Sequence, residues 1–126
     1  MKEYKGIWLS CKVAPPMKRS SRNALVVFIT ASDKRQALKI GKVAVEERLA
    51  ACVNVLPSIR SIYRWNGKVI VGQETLVILK TTEDRYRALE RLILALHSYQ
   101  VPEVIALPIK RGSRQYLGWV LSETNK

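Results

Sequence analysis

The pair Asn66-Gly67 joins two long runs of strand-forming residues, Cys52–Trp65 and Lys68–Thr82. A two-residue hairpin of type I′ needs positive φ at both central positions, and Asn followed by Gly adopts this at least cost. The flanking runs are rich in Val, Ile and aromatic residues, whose side chains suit a pleated surface. Each run is longer than the usual strand of about five or six residues. Arms that long outgrow a small sheet, and a neighbouring subunit is the simplest cover for their ends. Pro57 interrupts the first arm and predicts an edge or a bulge there. Gly72 predicts a bulge in the returning arm. Leu76–Leu79 is apolar on both faces, which predicts a central place in the sheet.

The remaining elements fall around this hairpin. Leu25–Ala31 is a continuous apolar run, rich in β-branched residues, and reads as a buried strand. Ser32 and Asp33 then offer a helix cap, followed by a helical pattern over Lys34–Leu49. Its apolar residues Ala37, Leu38, Ile40, Ala44, Val45 and Leu49 cluster on one face, with Arg48 near that face. Thr81 or Thr82 caps a second helix, with Glu83 and Asp84 in its first turn and an inward stripe of Tyr86, Leu89, Ile93 and Leu96. Pro102 stops that helix, and Val104–Ile109 makes a last strand. Gly112 and Ser113 lead into a short amphipathic segment holding Tyr116, Leu117, Trp119 and Val120. The order βαββαβ plus a terminal helix predicts an α+β, ferredoxin-like sandwich with its helices on one face of an antiparallel sheet.

A chain of 126 residues has room for one domain. Residues 1–24 carry Lys2, Lys5, Lys12, Lys18, Arg19 and Arg22 against a single Glu3 and read as a flexible basic tail, with the domain at 25–126. Met17 offers an alternative start within that tail. The apolar patch Gly6–Leu9 is too short for a signal-peptide core, typically about 7–15 residues, and no apolar run approaches the roughly 18 residues of a membrane span. Two cysteines, Cys11 and Cys52, make no disulfide framework; Cys52 reads as a reduced core thiol and the compartment as cytoplasm. The net charge of +12 raises the question of an anionic partner. The basic residues are nevertheless dispersed and lack interleaved aromatics, which argues against nucleic acid.

Catalytic templates are missing. There is no Gly-rich phosphate loop and no GxSxG elbow. The one histidine, His97, has no recognisable triad with Glu90 or Glu103. Zinc-type Cys and His spacings are also absent, so a metal would have to bind where subunits meet. Imidazole and thiolate ligands there would favour copper. Two polar clusters remain, Tyr63–Lys68 at the hairpin tip and His97–Glu103 after the second helix. Each also has a plain structural explanation: Tyr63 and Trp65 as interface packing, and His97 as a helix C-terminal residue meeting the dipole.

Taken together the motifs resemble the CutA family, the divalent-cation tolerance proteins. Residues 46–54 read EERLAACVN, residues 61–68 read SIYRWNGK, and Glu74 leads into Ile78-Leu79-Lys80-Thr81. Leu96-His97, Tyr99 and the run Val101–Ile109 follow, and Tyr116-Leu117-Gly118-Trp119 closes the series. The resemblance spans about residues 25–122 in order. It implies a tight homotrimer, similar to the PII signalling proteins, that binds Cu(II) or other divalent cations and has no organic cofactor and no settled enzymatic activity. Carried onto this sequence, it implies His97, Cys52 and Glu103 as metal ligands and Tyr63, Trp65, Glu74, Lys80 and Tyr99 as cleft residues. Two departures stand out. Ser98 replaces the usual proline after the histidine, which would loosen that loop, and Phe28–Ala31 lacks the thiol some members carry there. The alternatives are a PII-like protein binding a small anion between subunits through Lys80, and a basic nucleic-acid binder.

Overall fold

The structure is a computed structural model and describes residues 23–125. The tail read at residues 1–24 lies outside the described residues except for Asn23 and Ala24, and Ala24 already begins a strand. Seven elements follow in order: β1 (Ala24–Ala31), α1 (Lys34–Glu46), β2 (Cys52–Trp65), β3 (Lys68–Thr82), α2 (Glu83–Leu96), β4 (Val104–Pro108) and α3 (Arg114–Glu123). The four strands form one antiparallel sheet in the order β2-β3-β1-β4. Each β-α-β unit is split by a strand from the other, which is the plan read from the sequence. β3 lies inside the sheet, as the two-faced apolar run Leu76–Leu79 predicted.

Alternation along the strands sorts their side chains to two faces. Val27, Ile29 and Ala31 of β1 and Val77 and Leu79 of β3 meet Ala37, Ile40 and Ala44 of α1 and Leu89 and Ile93 of α2, all fully buried. Leu38 and Val45, read as part of the α1 stripe, instead point outward. At 100° per residue they lie away from Ala37, Ile40 and Ala44, and Gly41 takes the remaining buried place. A Cβ on Gly41 would come within 2.8 Å of Val53 Cγ1, so glycine sets how closely α1 approaches β2.

α1 starts at Asp33, whose carboxylate accepts from the Gln36 backbone N–H at 2.8 Å. It ends at Glu46, not at Leu49. Arg48 takes φ 58°, and the Leu49 N–H reaches the Ala44 carbonyl at 2.9 Å while the Arg48 N–H reaches Val45 at 3.1 Å. That is the Schellman pattern, here with arginine where glycine is usual. It turns Leu49, Ala50 and Ala51 into the interior, and Thr81 seals the turn by donating its hydroxyl to the Leu49 carbonyl at 2.6 Å. Thr82 stands at the start of α2 without a side-chain cap, where Glu83 and Asp84 complement the dipole instead.

The hairpin has the expected turn, with φ 51° at Asn66 and 76° at Gly67. Gly72 does not form a bulge; it pairs in regular register with Ser61. The irregularity lies between Leu56 and Ile59, at Pro57-Ser58, with Ser58 at φ 64°. β1 accompanies β3 only over Thr75–Thr82, so Lys68–Glu74 and Ile59–Trp65 continue as a two-stranded ribbon beyond the rest of the sheet.

Gly41→Ala should destabilise the chain although alanine is the better helix former. The gain in propensity is about 1 kcal/mol, whereas overpacking costs about 1–3 kcal/mol; a thermal melt should show a lower Tm, restored by adding Val53→Ala. Thr81→Val leaves the buried Leu49 carbonyl without its donor and should cost about 1–3 kcal/mol in denaturant unfolding. A Tm at or above that of the unsubstituted chain would contradict either account.

Candidate functional site

The bulge at Pro57-Ser58 decides which residues face one another. Before it, Cys52, Asn54 and Leu56 stand opposite Lys80, Ile78 and Leu76 on the sheet face away from α1 and α2. One extra residue on β2 then flips the alternation, so that Ile59 stands opposite Glu74, and Ser61, Tyr63 and Trp65 follow on the same face. Without the bulge, Tyr63 and Trp65 would point to the opposite side of the ribbon. The loop between α2 and β4 closes the space from below. Together these segments bound a hollow of about 710 Å³, with Tyr63, Trp65, Glu74, Tyr99 and Glu103 in its wall.

His97 organises that loop. Its Nδ1 accepts from the Tyr99 backbone N–H at 3.1 Å, so its Nε2 carries the proton and donates to the Thr30 carbonyl at 2.6 Å. The Tyr99 ring lies 4.6 Å from the His97 ring, and its hydroxyl donates to Glu74 Oε2 at 2.8 Å. Burial raises the Tyr99 phenol well above its ordinary value, and the bond to Glu74 raises it further, so the hydroxyl stays protonated as a donor. The Ser98 hydroxyl donates to the Gln36 side-chain oxygen at 3.3 Å, a contact between the loop and α1.

Two of the expected residues lie elsewhere. Lys80 is six positions from Glu74 along β3, about 20 Å at roughly 3.3 Å per residue, and its ammonium group bonds Asn54 Oδ1. Cys52 stands opposite Lys80 and is half-buried rather than in the core. Burial pushes the Tyr116 phenol up to about 12, helped by a hydrogen bond with Cys52. Lys80 pairs with Val26 and His97 is bonded to Thr30, so Cys52 and His97 stand about 13 Å apart along the sheet, at roughly 3.3 Å per residue. Among the described residues no three of His, Cys, Asp and Glu gather to hold a metal. A divalent ion therefore does not fit His97, Cys52 and Glu103 within one chain.

The hollow also includes Thr30, Ser61, Ile62 and Ser98, none of which was among the expected site residues. Ser61 was reachable by alternation from Tyr63, but nothing in the sequence marks the Thr30 carbonyl as the partner of His97.

Comparison with known proteins identifies the family and the fold. Residues 25–123 match the family described as CutA1 divalent ion tolerance protein. The divalent-cation tolerance protein CutA of Thermus thermophilus is 50% identical over 99 residues, covering 79% of this chain and 96% of the relative. Protein CutA 1, chloroplastic, of Oryza sativa is 41% identical over 120 residues, covering 94% of this chain and 68% of the relative. A solved structure of the Thermus thermophilus divalent cation tolerance protein superposes with a TM-score of 0.79 at 48% identity, over 81% of this chain and 99% of the other. Family match, sequence identity and backbone agree, and the chain belongs to the CutA1 divalent ion tolerance protein family.

Proposed function

We propose that the chain works as a homotrimeric divalent-cation tolerance protein that binds copper or another divalent ion between subunits, and that it is a binding protein rather than an enzyme. The observation that carries this reading is the lining of the hollow. Glu74 and Glu103 both face it and, among the described residues, no Lys or Arg does, in a chain of net charge +12. Such a lining favours a cation. The same lining gives no support to a PII-like anion site or to nucleic acid, and Lys80, the side chain proposed for an anion, is bonded to Asn54.

The trimer rests on what one chain leaves uncovered. Ile62, Val69 and Val71 on the ribbon are 71%, 61% and 62% exposed, and Ile105 and Leu107 on β4 are each 51% exposed. β2 and β4 are the two edges of the sheet, so further copies have both strand edges and apolar surface to meet. Subunits arranged around such contacts would supply His97, Cys52 and Glu103 from different chains. A metal taken by His97 must replace the bond to Tyr99 or the bond to Thr30, so binding would also reset the loop over residues 97–103. Cys52 is a free thiol, which suits a reducing compartment such as cytoplasm. No helix of the described residues is long and apolar enough to cross a membrane.

Calorimetric titration with Cu(II) tests the reading. The metal-free protein should take up copper at a fixed ratio per chain, and His97→Ala and Glu103→Gln should each weaken binding by tenfold or more, about 1.4 kcal/mol. Equal affinity in both variants would remove His97 and Glu103 from the site and contradict the reading.

A further inference from the structure

The hollow beneath the ribbon differs in composition from the rest of the chain. The sequence holds 22 Lys and Arg against 10 Asp and Glu, yet among the described residues the acids in this wall stand without a basic neighbour in it. Among the described residues the ion pair within 4.0 Å joins Arg48 and Glu123, so neither Glu74 nor Glu103 has a cationic partner. Glu74 accepts one hydrogen bond, from Tyr99, and keeps further lone pairs. Three aromatic rings, Tyr63, Trp65 and Tyr99, and the apolar residue Val101 complete the lining.

Those walls suit one kind of cation better than another. A divalent metal ion asks for several oxygen, nitrogen or sulfur ligands at bonding distance, and no three such carriers converge among the described residues. An organic ammonium ion asks for less directional partners. Aromatic faces attract its charge through their quadrupoles, carboxylates neutralise it, and its methyl or methylene groups gain from apolar contact. Tyr99 is held for that role, its hydroxyl fixed on Glu74 and its ring beside that of His97. The volume, about 710 Å³, exceeds what a small ammonium ion fills, which leaves room for a substituent or for a neighbouring subunit.

We infer that this hollow binds a small organic ammonium ion, with Trp65, Tyr63 and Tyr99 as the aromatic walls and Glu74 and Glu103 as the counter-charges. The inference rests on the hollow being the cation cleft of the protein, but not on copper being its occupant.

The test is calorimetry on the full chain in chelator, with tetramethylammonium and with neopentyl alcohol, its neutral counterpart of similar size. Tetramethylammonium should bind, neopentyl alcohol should bind at least tenfold more weakly, and Trp65→Leu and Glu103→Gln should each weaken the ammonium ion by roughly fivefold to thirtyfold. Each variant should keep a cooperative melt and the solution mass of the unsubstituted chain, so that a loss of binding reports on the site and not on the fold. Equal binding of the neutral compound would overturn the inference by reducing the hollow to an apolar pocket. Uptake of Cu(II) without any response to tetramethylammonium would overturn it while leaving the divalent-ion reading intact. Failure of both cations to bind would remove both.

Discussion

Among the described residues the β2–β3 ribbon projects beyond everything that covers it, and much of the structure can be understood from that excess. β3 has 15 residues and β2 has 14, while β1 has 8 and β4 has 5. The surplus cannot join the four-stranded part of the sheet and cannot reach the helices. A two-stranded ribbon is only marginally stable in water without further packing. Leaving an apolar side chain such as Ile62 or Val71 in solvent forgoes about 1.5–3 kcal/mol of burial each. The globular part is packed in the ordinary way around Val27, Ile29, Leu79, Leu89 and Ile93 and asks nothing of the ribbon. On the proposed trimer, the neighbouring copies supply the stability that the ribbon lacks.

The same ribbon builds the candidate site, through one inserted residue. The bulge at Pro57-Ser58 converts a strand whose even-numbered residues face away from the helices into one whose odd-numbered residues do. Tyr63 and Trp65 are thereby aimed at Glu74, and the loop after α2 brings Tyr99 and Glu103 to meet them. His97 holds that loop against the end of β1 with both ring nitrogens engaged. The site is therefore assembled at the point where the four-stranded sheet stops and the ribbon goes on alone. A cleft placed there is open on the side that a neighbouring subunit would occupy, which links the account of stability to the account of binding.

Much of this was legible in the sequence, and the parts that were not have identifiable causes. Asn66-Gly67, the apolar run Leu25–Ala31 and the stripe Leu89–Ile93 are local signals, and the elements they predicted are present. The end of α1 was misplaced because Arg48 gives no glycine-like signal for the left-handed residue that ends the helix. Leu38 and Val45 were assigned inward because hydrophobicity alone does not distinguish a core face from a surface left for other contacts. Of the expected cleft residues, Tyr63, Trp65, Glu74 and Tyr99 line one hollow and Lys80 does not. The grouping of the first four depends on a register shift that Pro57 hinted at, while the separation of Lys80 depends on distance along a strand, which a motif does not encode. Gly72 was read as a bulge by the same logic that succeeded at Pro57, but its missing side chain lies across from Tyr63 without disturbing the ladder.

Sedimentation velocity of the purified chain in chelator at micromolar concentration tests the central claim most directly. If the ribbon depends on other copies of the chain, a single species should sediment at three times the chain mass of 14.3 kDa, with no monomer on dilution. A well-folded monomer under those conditions would contradict the account, because the ribbon would then be stable with its apolar residues in water.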